Sequence, residues 1–166
     1  GAGAAVVRSA SGERGLLGTH HQSDGKLADI LYRPAGGAAI PMDENVLRDR
    51  SHLIRMSGRE VFKHAVRAMA NSSGQALERS GWDLEDVDLV FPHQANIRII
   101  KGAANYAGLP MAKVFVNVDR YGNMSSATIP VAMDEAIEQG RLQSGMKLLL
   151  VAFGAGLTWG AMAVRW

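Results

Sequence analysis

The chain has 166 residues, one domain's length and enough to bury a sizeable core. Its composition, 47% hydrophobic and 20% charged with a formal net charge of +2, is ordinary for a globular protein and gives no electrostatic reason to bind nucleic acid. No apolar run approaches the ~20 residues that cross a bilayer, and the lack of cysteine excludes a disulfide scaffold and a thiolate-held metal; no membrane, no metal and a cytoplasmic location are expected.

Gly1 to Val7 opens abruptly inside an apolar run, with no initiator Met, as a trimmed chain or the C-terminal part of a longer one would. Residues 27 to 33 read as a strand and Pro34-Ala35-Gly36-Gly37 as a loop, followed by a polar, basic stretch through Arg55. From Gly58, the spacing of Val61, Ala65, Met69, Ser73, Ala76 and Ser80 predicts a long helix stopped by Gly81. Val87 to Phe91 reads as a strand, Asn96 to Ala107 as a helix ended by Gly108 and Pro110, and Val114 to Val118 as a strand. Ser125 or Ser126 is expected to cap a helix with Pro130 in its first turns, running to Gly140. Lys147 to Phe153 and Thr158 to Trp166 read as an antiparallel pair around Gly154-Ala155-Gly156. This alternation predicts an α/β fold with a mixed, mostly parallel sheet flanked by helices.

The segments Phe91-Pro92-His93-Gln94-Ala95-Asn96-Ile97-Arg98 and Tyr121-Gly122-Asn123-Met124-Ser125-Ser126 carry the chemistry. Each sets one hydrogen-bonding side chain, His93 or Asn123, just after a predicted strand, where open α/β sheets bind ligands. A neutral imidazole and a carboxamide are donors suited to an oxygen that gains negative charge during reaction. Neither is a strong nucleophile, so the pair reads as half of an active site. Singly, each has a structural reading: a histidine beside a strand end, and an asparagine tolerated in a left-handed turn. Gly154-Ala155-Gly156 is either a tight turn or a backbone N–H aimed at a reacting carbonyl. Arg55, Arg59, Lys63 and Arg67, four apart, would form one helical stripe, each like-charge pair costing about 0.2–0.5 kcal/mol. The stripe is a solvated face or a docking strip for an acidic partner or a phosphate, widened by Arg98 and Lys101.

Together these segments resemble the C-terminal half of the β-ketoacyl-acyl carrier protein synthase III family, which starts bacterial fatty acid synthesis on the thiolase fold. The similarity spans the whole chain. It is densest in Val61-Phe62-Lys63, Pro92-His93-Gln94-Ala95-Asn96-Ile97-Arg98-Ile99-Ile100, Asp119-Arg120-Tyr121-Gly122-Asn123 and Phe153-Gly154-Ala155-Gly156-Leu157-Thr158-Trp159-Gly160. The resemblance implies a layered αβαβα fold, with residues 1–24 closing the N-terminal half and 25–166 forming the C-terminal half. It implies a Cys-His-Asn site in which the cysteine takes an acyl group from an acyl-CoA starter. Malonyl-acyl carrier protein then loses CO₂, and its enolate attacks the acyl-cysteine. His93 and Asn123 fall on the family's His and Asn, with His93 expected to act as a neutral donor, and the Ala155 N–H falls on its oxyanion donor.

Gln94, Ala95, Asn96, Ile97, Arg98 and Lys63 match carrier-protein contacts; Met56, Gly58, Arg59, Phe62, Ala95 and Asn96 match the pantetheine tunnel. Arg59, Asn105 and Tyr106 depart from residues common in relatives. The nucleophilic cysteine would come from the missing N-terminal half, so the chain alone is expected to be inactive and the full enzyme a homodimer. No cofactor is expected beyond the substrates themselves. Two rivals remain at this stage: an acyltransferase of secondary metabolism with an alcohol or amine acceptor, and a non-catalytic partner subunit.

Overall fold

The small and apolar residues that recur through residues 58–80 produce the longest helix, and the rest of the architecture is built around it. The computed structural model describes residues 1–166. In chain order the elements are β1 (Gly15–Ser23), β2 (Leu31–Tyr32), α1 (Glu44–Asp49), β3 (Arg55–Met56), α2 (Gly58–Ser80), β4 (Leu89–Pro92), α3 (Ile97–Ala107), α4 (Val118–Tyr121), α5 (Thr128–Glu138), β5 (Lys147–Gly154) and β6 (Thr158–Arg165).

Helix α2 buries Val61, Ala65, Met69, Ser73 and Ala76 on one face, as the periodicity predicts. The buried Ser73 hydroxyl is satisfied by the Met69 carbonyl at 2.8 Å. Gly81, at φ 70°, ends the helix in the left-handed conformation that costs glycine least. Helix α3 also matches its expected limits: Asn96 Oδ1 accepts from the Arg98 N–H at 2.8 Å, and Gly108 closes it. No helix is long and apolar enough to cross a membrane.

The main sheet runs β1-β6-β5-β4. It is mixed, as expected, but its parallel part is confined to β4 beside β5 and an isolated bridge between Val90 and Val114. Both other pairings, β1 with β6 and β5 with β6, are antiparallel. The short Ala155–Leu157 connection permits nothing else for β5 and β6, and β1 adds to the free edge of β6. One core packs α2 and α3 against one sheet face through Met69, Val90, Ile100, Leu149 and Ala163. A smaller one packs Ala132 and Ala136 of α5 against Leu89, Phe91 and Leu148 on the other face.

Several local expectations are corrected. Residues 27 to 33 hold only two strand residues, because Gly25–Ile30 forms a 3₁₀ turn capped by Asp24, whose carboxylate accepts from the Lys26 N–H at 3.0 Å. The predicted strand at 114–118 shrinks to the Val114 bridge, since the Asn117 and Val118 N–H groups donate to the Gln94 side chain instead of a neighbouring strand. The next helix starts at Thr128, and neither Ser125 nor Ser126 caps it through a side chain. Arg55 lies in β3, so the basic helical stripe is reduced to Arg59, Lys63 and Arg67.

Strand β1 crosses α2 so closely that only glycine fits at the crossing. A Cβ on Gly18 would stand 2.2 Å from the Ala76 carbonyl oxygen and 2.8 Å from the Ser80 nitrogen, both backbone atoms with no room to retreat. Gly18→Ala is therefore expected to destabilise the protein by about 1–3 kcal/mol, read as a fall in thermal midpoint of about 2–4 °C per kcal/mol. An unchanged midpoint would show that β1 is free to lift off the helix.

Candidate functional site

Residues far apart in sequence converge on one cleft of about 1030 Å³. Its walls come from Leu31 to Arg33, from Ile54 and Met56, from Gly58, Arg59, Val61 and Phe62 at the start of α2, and from the His93 to Ile99 segment. Asn123, Ser125, Phe153, Gly154 and Ala155 complete it. His93, Asn123 and Ala155 thus share one cavity with every residue matched to the pantetheine tunnel. His93 and Ser125 also border a second, more open cleft of about 540 Å³, alongside His21, Leu150, Trp159 and Met162 on β1, β5 and β6.

His93 is held by its backbone first. Its N–H donates to the Val151 carbonyl at 2.8 Å, continuing the parallel pairing of β4 with β5 one residue past the strand. The ring's Nδ1 lies 2.7 Å from the Thr128 hydroxyl, which in turn donates to the Ser125 carbonyl at 2.9 Å. The Ser125 N–H donates to Asn123 Oδ1 at 2.8 Å. One hydrogen-bonded chain, His93–Thr128–Ser125–Asn123, therefore links the two side chains singled out in the sequence. It occupies Nδ1 of the imidazole and the oxygen of the carboxamide, leaving Nε2 and the Asn123 NH₂ group for the cleft. Ser125 adopts φ 56°, a left-handed conformation unusual outside glycine, at the centre of this chain.

Burial holds the His93 pKa below its ordinary value of 6.5, because desolvation disfavours the charged ring. The folded state therefore favours the neutral ring, and the unfolded chain binds the proton more readily. That contribution to stability is fully present above the ordinary value and is lost as pH falls through the lowered folded one. Acidification below about pH 6.5 should thus cost the wild type more stability than a His93→Gln variant, measured by denaturant unfolding at several pH values. Equal losses in the two proteins would remove His93 from the acid response.

The remaining sequence-singled residues divide. Ala95, Asn96 and Arg98 line the cleft with Met56, Gly58, Arg59 and Phe62. Ile97 and Lys63 lie outside it on the exposed surface, Lys63 paired with Glu60 at 2.9 Å. Gln94 is a correction. Its side chain is 0% exposed, so it cannot serve as a carrier contact. Its Nε2 donates to the Phe115 and Pro92 carbonyls at 2.9 and 3.2 Å, and its Oε1 accepts from the Asn117 and Val118 N–H groups at 3.1 and 3.2 Å. Beyond it, Asn117 Nδ2 donates to Glu135 at 3.0 Å, and Glu135 pairs with Arg120. This network ties the chain leading to Asn123 onto the segment that carries His93.

The sequence reading missed Thr128 and the structural role of Ser125. The three-residue spacing that lets a helix-start hydroxyl reach back to a carbonyl was the available signal.

Residues 77–166 match the family described as 3-oxoacyl-[acyl-carrier-protein (ACP)] synthase III C terminal. The chain is 49% identical over all 166 of its residues to a β-ketoacyl-[acyl-carrier-protein] synthase III of Clostridioides difficile, covering 50% of that protein. It is 47% identical to the enzyme of the same name from Roseiflexus castenholzii, again covering 50% of it. Among solved structures, the 3-oxoacyl-[acyl-carrier-protein] synthase III of Aquifex aeolicus superposes with a TM-score of 0.82 at 40% identity, over 95% of this chain and 46% of that one. The corresponding structure from Pseudomonas aeruginosa gives 0.83 at 37% identity, over 96% and 47%. The chain spans about half the length of the curated relatives it matches.

Proposed function

The chain belongs to the 3-oxoacyl-[acyl-carrier-protein] synthase III family, as its C-terminal half with the α/β thiolase-like fold, and from that premise we propose that it supplies the hydrogen-bond donors that stabilise the enolate of a decarboxylative condensation. The observation that carries this reading is the meeting of His93, Asn123 and Ala155 in one cleft lined by Met56, Gly58, Phe62 and Asn96. An extended thioester arm suits a cavity of that size, with its carbonyl at the part of the wall that His93 and Asn123 supply.

In this reading the acyl group of an acyl-CoA starter first passes to a cysteine borne by the other half of the full-length enzyme. Malonyl-acyl carrier protein then enters the cleft. Loss of CO₂ leaves an electron pair on the α-carbon, delocalised onto the thioester oxygen. The Asn123 N–H and His93, carrying its proton on Nε2, stabilise that oxygen as it becomes anionic. The enolate carbon attacks the acyl-cysteine, and the product leaves as 3-oxoacyl-acyl carrier protein. Ala155 offers its N–H to the tetrahedral oxygen formed in the acyl transfers. The full-length enzyme acts as a cytoplasmic homodimer. Carbon dioxide release from malonyl-acyl carrier protein by a full-length protein containing this segment tests the reading directly, and its absence would overturn it.

Arg98 stands on the exposed rim beside Asn96 and Arg59, where an acidic carrier would arrive. Rim charges act mainly on encounter rate and salt dependence. Arg98→Glu is expected to raise KM for malonyl-acyl carrier protein by about tenfold and to blunt its salt dependence, with kcat little changed. An unaltered KM in steady-state assays would move the docking surface elsewhere.

A further inference from the structure

We propose that Thr128 is a positioning residue that holds His93 as its Nδ1–H tautomer, so that Nε2 faces the cleft as a proton acceptor in the resting protein. The inference deepens the proposed function and rests on it for its catalytic consequence, although the tautomer itself follows from the hydrogen bonds.

Thr128 is fully buried, and its hydroxyl has two neighbours, Ser125 O at 2.9 Å and His93 Nδ1 at 2.7 Å. A hydroxyl has one proton to give and lone pairs to receive with. The carbonyl can only accept, so the hydroxyl proton belongs to Ser125 O. The Thr128 oxygen must then receive a proton from the ring, which places N–H on Nδ1. A neutral imidazole carries only one N–H, so Nε2 is left with its lone pair. Turning the hydroxyl toward Nδ1 instead would forfeit the hydroxyl–carbonyl bond and press two oxygen lone pairs together at 2.9 Å, leaving Ser125 O with the Thr128 N–H alone. Burial keeps the ring from escaping the choice by becoming doubly protonated.

The consequence differs between the two half-reactions. In acyl transfer, Nε2 takes the proton of the cysteine thiol, the sulfur forms its bond to the acyl carbon, and the departing CoA thiolate takes the proton back. Atoms and charge balance with no other reactant, and the Nδ1–H tautomer is the one required. In decarboxylation, Nε2 must instead carry the proton in order to donate. Water in the cleft then gives Nε2 a proton and the Nδ1 proton returns to solvent, so the ring still carries one proton and the Thr128 hydroxyl turns to donate to Nδ1, against its resting preference. The expected neutral donor is thus not the resting form, and Thr128 favours the first half-reaction at the expense of the second.

The test uses a full-length protein containing this segment. In ¹⁵N NMR at neutral pH, the wild-type His93 ring should show Nδ1 as the protonated nitrogen and Nε2 as the bare one. A wild-type ring protonated on Nε2 overturns the proposal, whether or not any variant folds. Thr128→Val should move the ring toward Nε2–H, the form a free histidine favours. It should slow cysteine acylation by about tenfold, the worth of one hydrogen bond, while malonyl decarboxylation stays level or rises. Thr128→Ser, which keeps the hydroxyl, should restore both rates. Equal slowing of both half-reactions in Thr128→Val would mean that Thr128 only supports the fold, and would overturn the proposal. A wild type with the Nδ1–H ring and no decarboxylase activity would overturn the proposed function while leaving the tautomer assignment standing.

Discussion

Replacing Asn123 by alanine in a full-length enzyme should cut malonyl decarboxylation by about 10²–10³, equivalent to ~2.7–4 kcal/mol of barrier for one lost oxyanion donor. Acylation of the cysteine should stay within about threefold of the wild-type rate, because in the proposed reaction Asn123 acts on an oxygen that gains charge only in the second half-reaction. The geometry makes the residue hard to replace. Its Oδ1 is held by the Ser125 N–H at 2.8 Å, so the NH₂ group is the part left to the cleft. Asn123→Asp keeps the Ser125 contact but presents an acceptor where a donor is needed, and should be as inactive as the alanine variant. Single-turnover acylation with labelled acyl-CoA, run beside CO₂ release, separates the steps. Condensation at a near-normal rate in Asn123→Ala would show that the amide does not touch the reacting oxygen.

The second large effect falls on stability. Gln94→Leu should cost about 3–5 kcal/mol, because it leaves the Asn117 and Val118 N–H groups and the Phe115 carbonyl buried without their partner, each worth ~1–3 kcal/mol. For a domain of this size that is a fall in thermal midpoint of roughly 10 °C, measurable by circular dichroism. The leucine fills much the same volume, so cavity formation contributes little and the loss reports the stranded polar groups. A fall of under ~2 °C would mean that the 117–118 backbone finds other partners. The variant should also loosen Asn123, since the stretch leading to it is pinned through Asn117, Glu135 and Arg120.

Gln94 also illustrates what the sequence could and could not convey. Its neighbours His93, Asn96 and Arg98 all reach the cleft, and nothing in the order of residues says that the side chain between them turns inward. Motif resemblance assigns a segment to a surface; burial of one member is decided by packing against residues about twenty positions away. The helices α2 and α3 were legible because their signals are local: periodic small and apolar residues, an asparagine cap, glycines at the ends. The pairing of β5 with β6 was legible for the same reason, a short turn between two apolar runs. The strand expected at 114–118 failed because a side chain claimed its backbone donors, a non-local competition that β propensity does not register. The predominance of parallel strands failed because β1 adds to the edge of β6 from outside the alternating pattern. His93 and Asn123 stand out by residue type and position, and both line one cleft; Thr128, which links them, gives only the weak local signal of a hydroxyl three residues past Ser125, and its contact with His93 spans 35 positions.

The cleft draws its walls from residues as distant in the chain as Leu31 and Ala155, and no two adjacent elements make it alone. A half-folded chain would therefore offer an incoming ligand no grip. Conversely, an occupant of the finished cavity bridges all those segments at once, so its binding free energy adds directly to the cohesion of the domain.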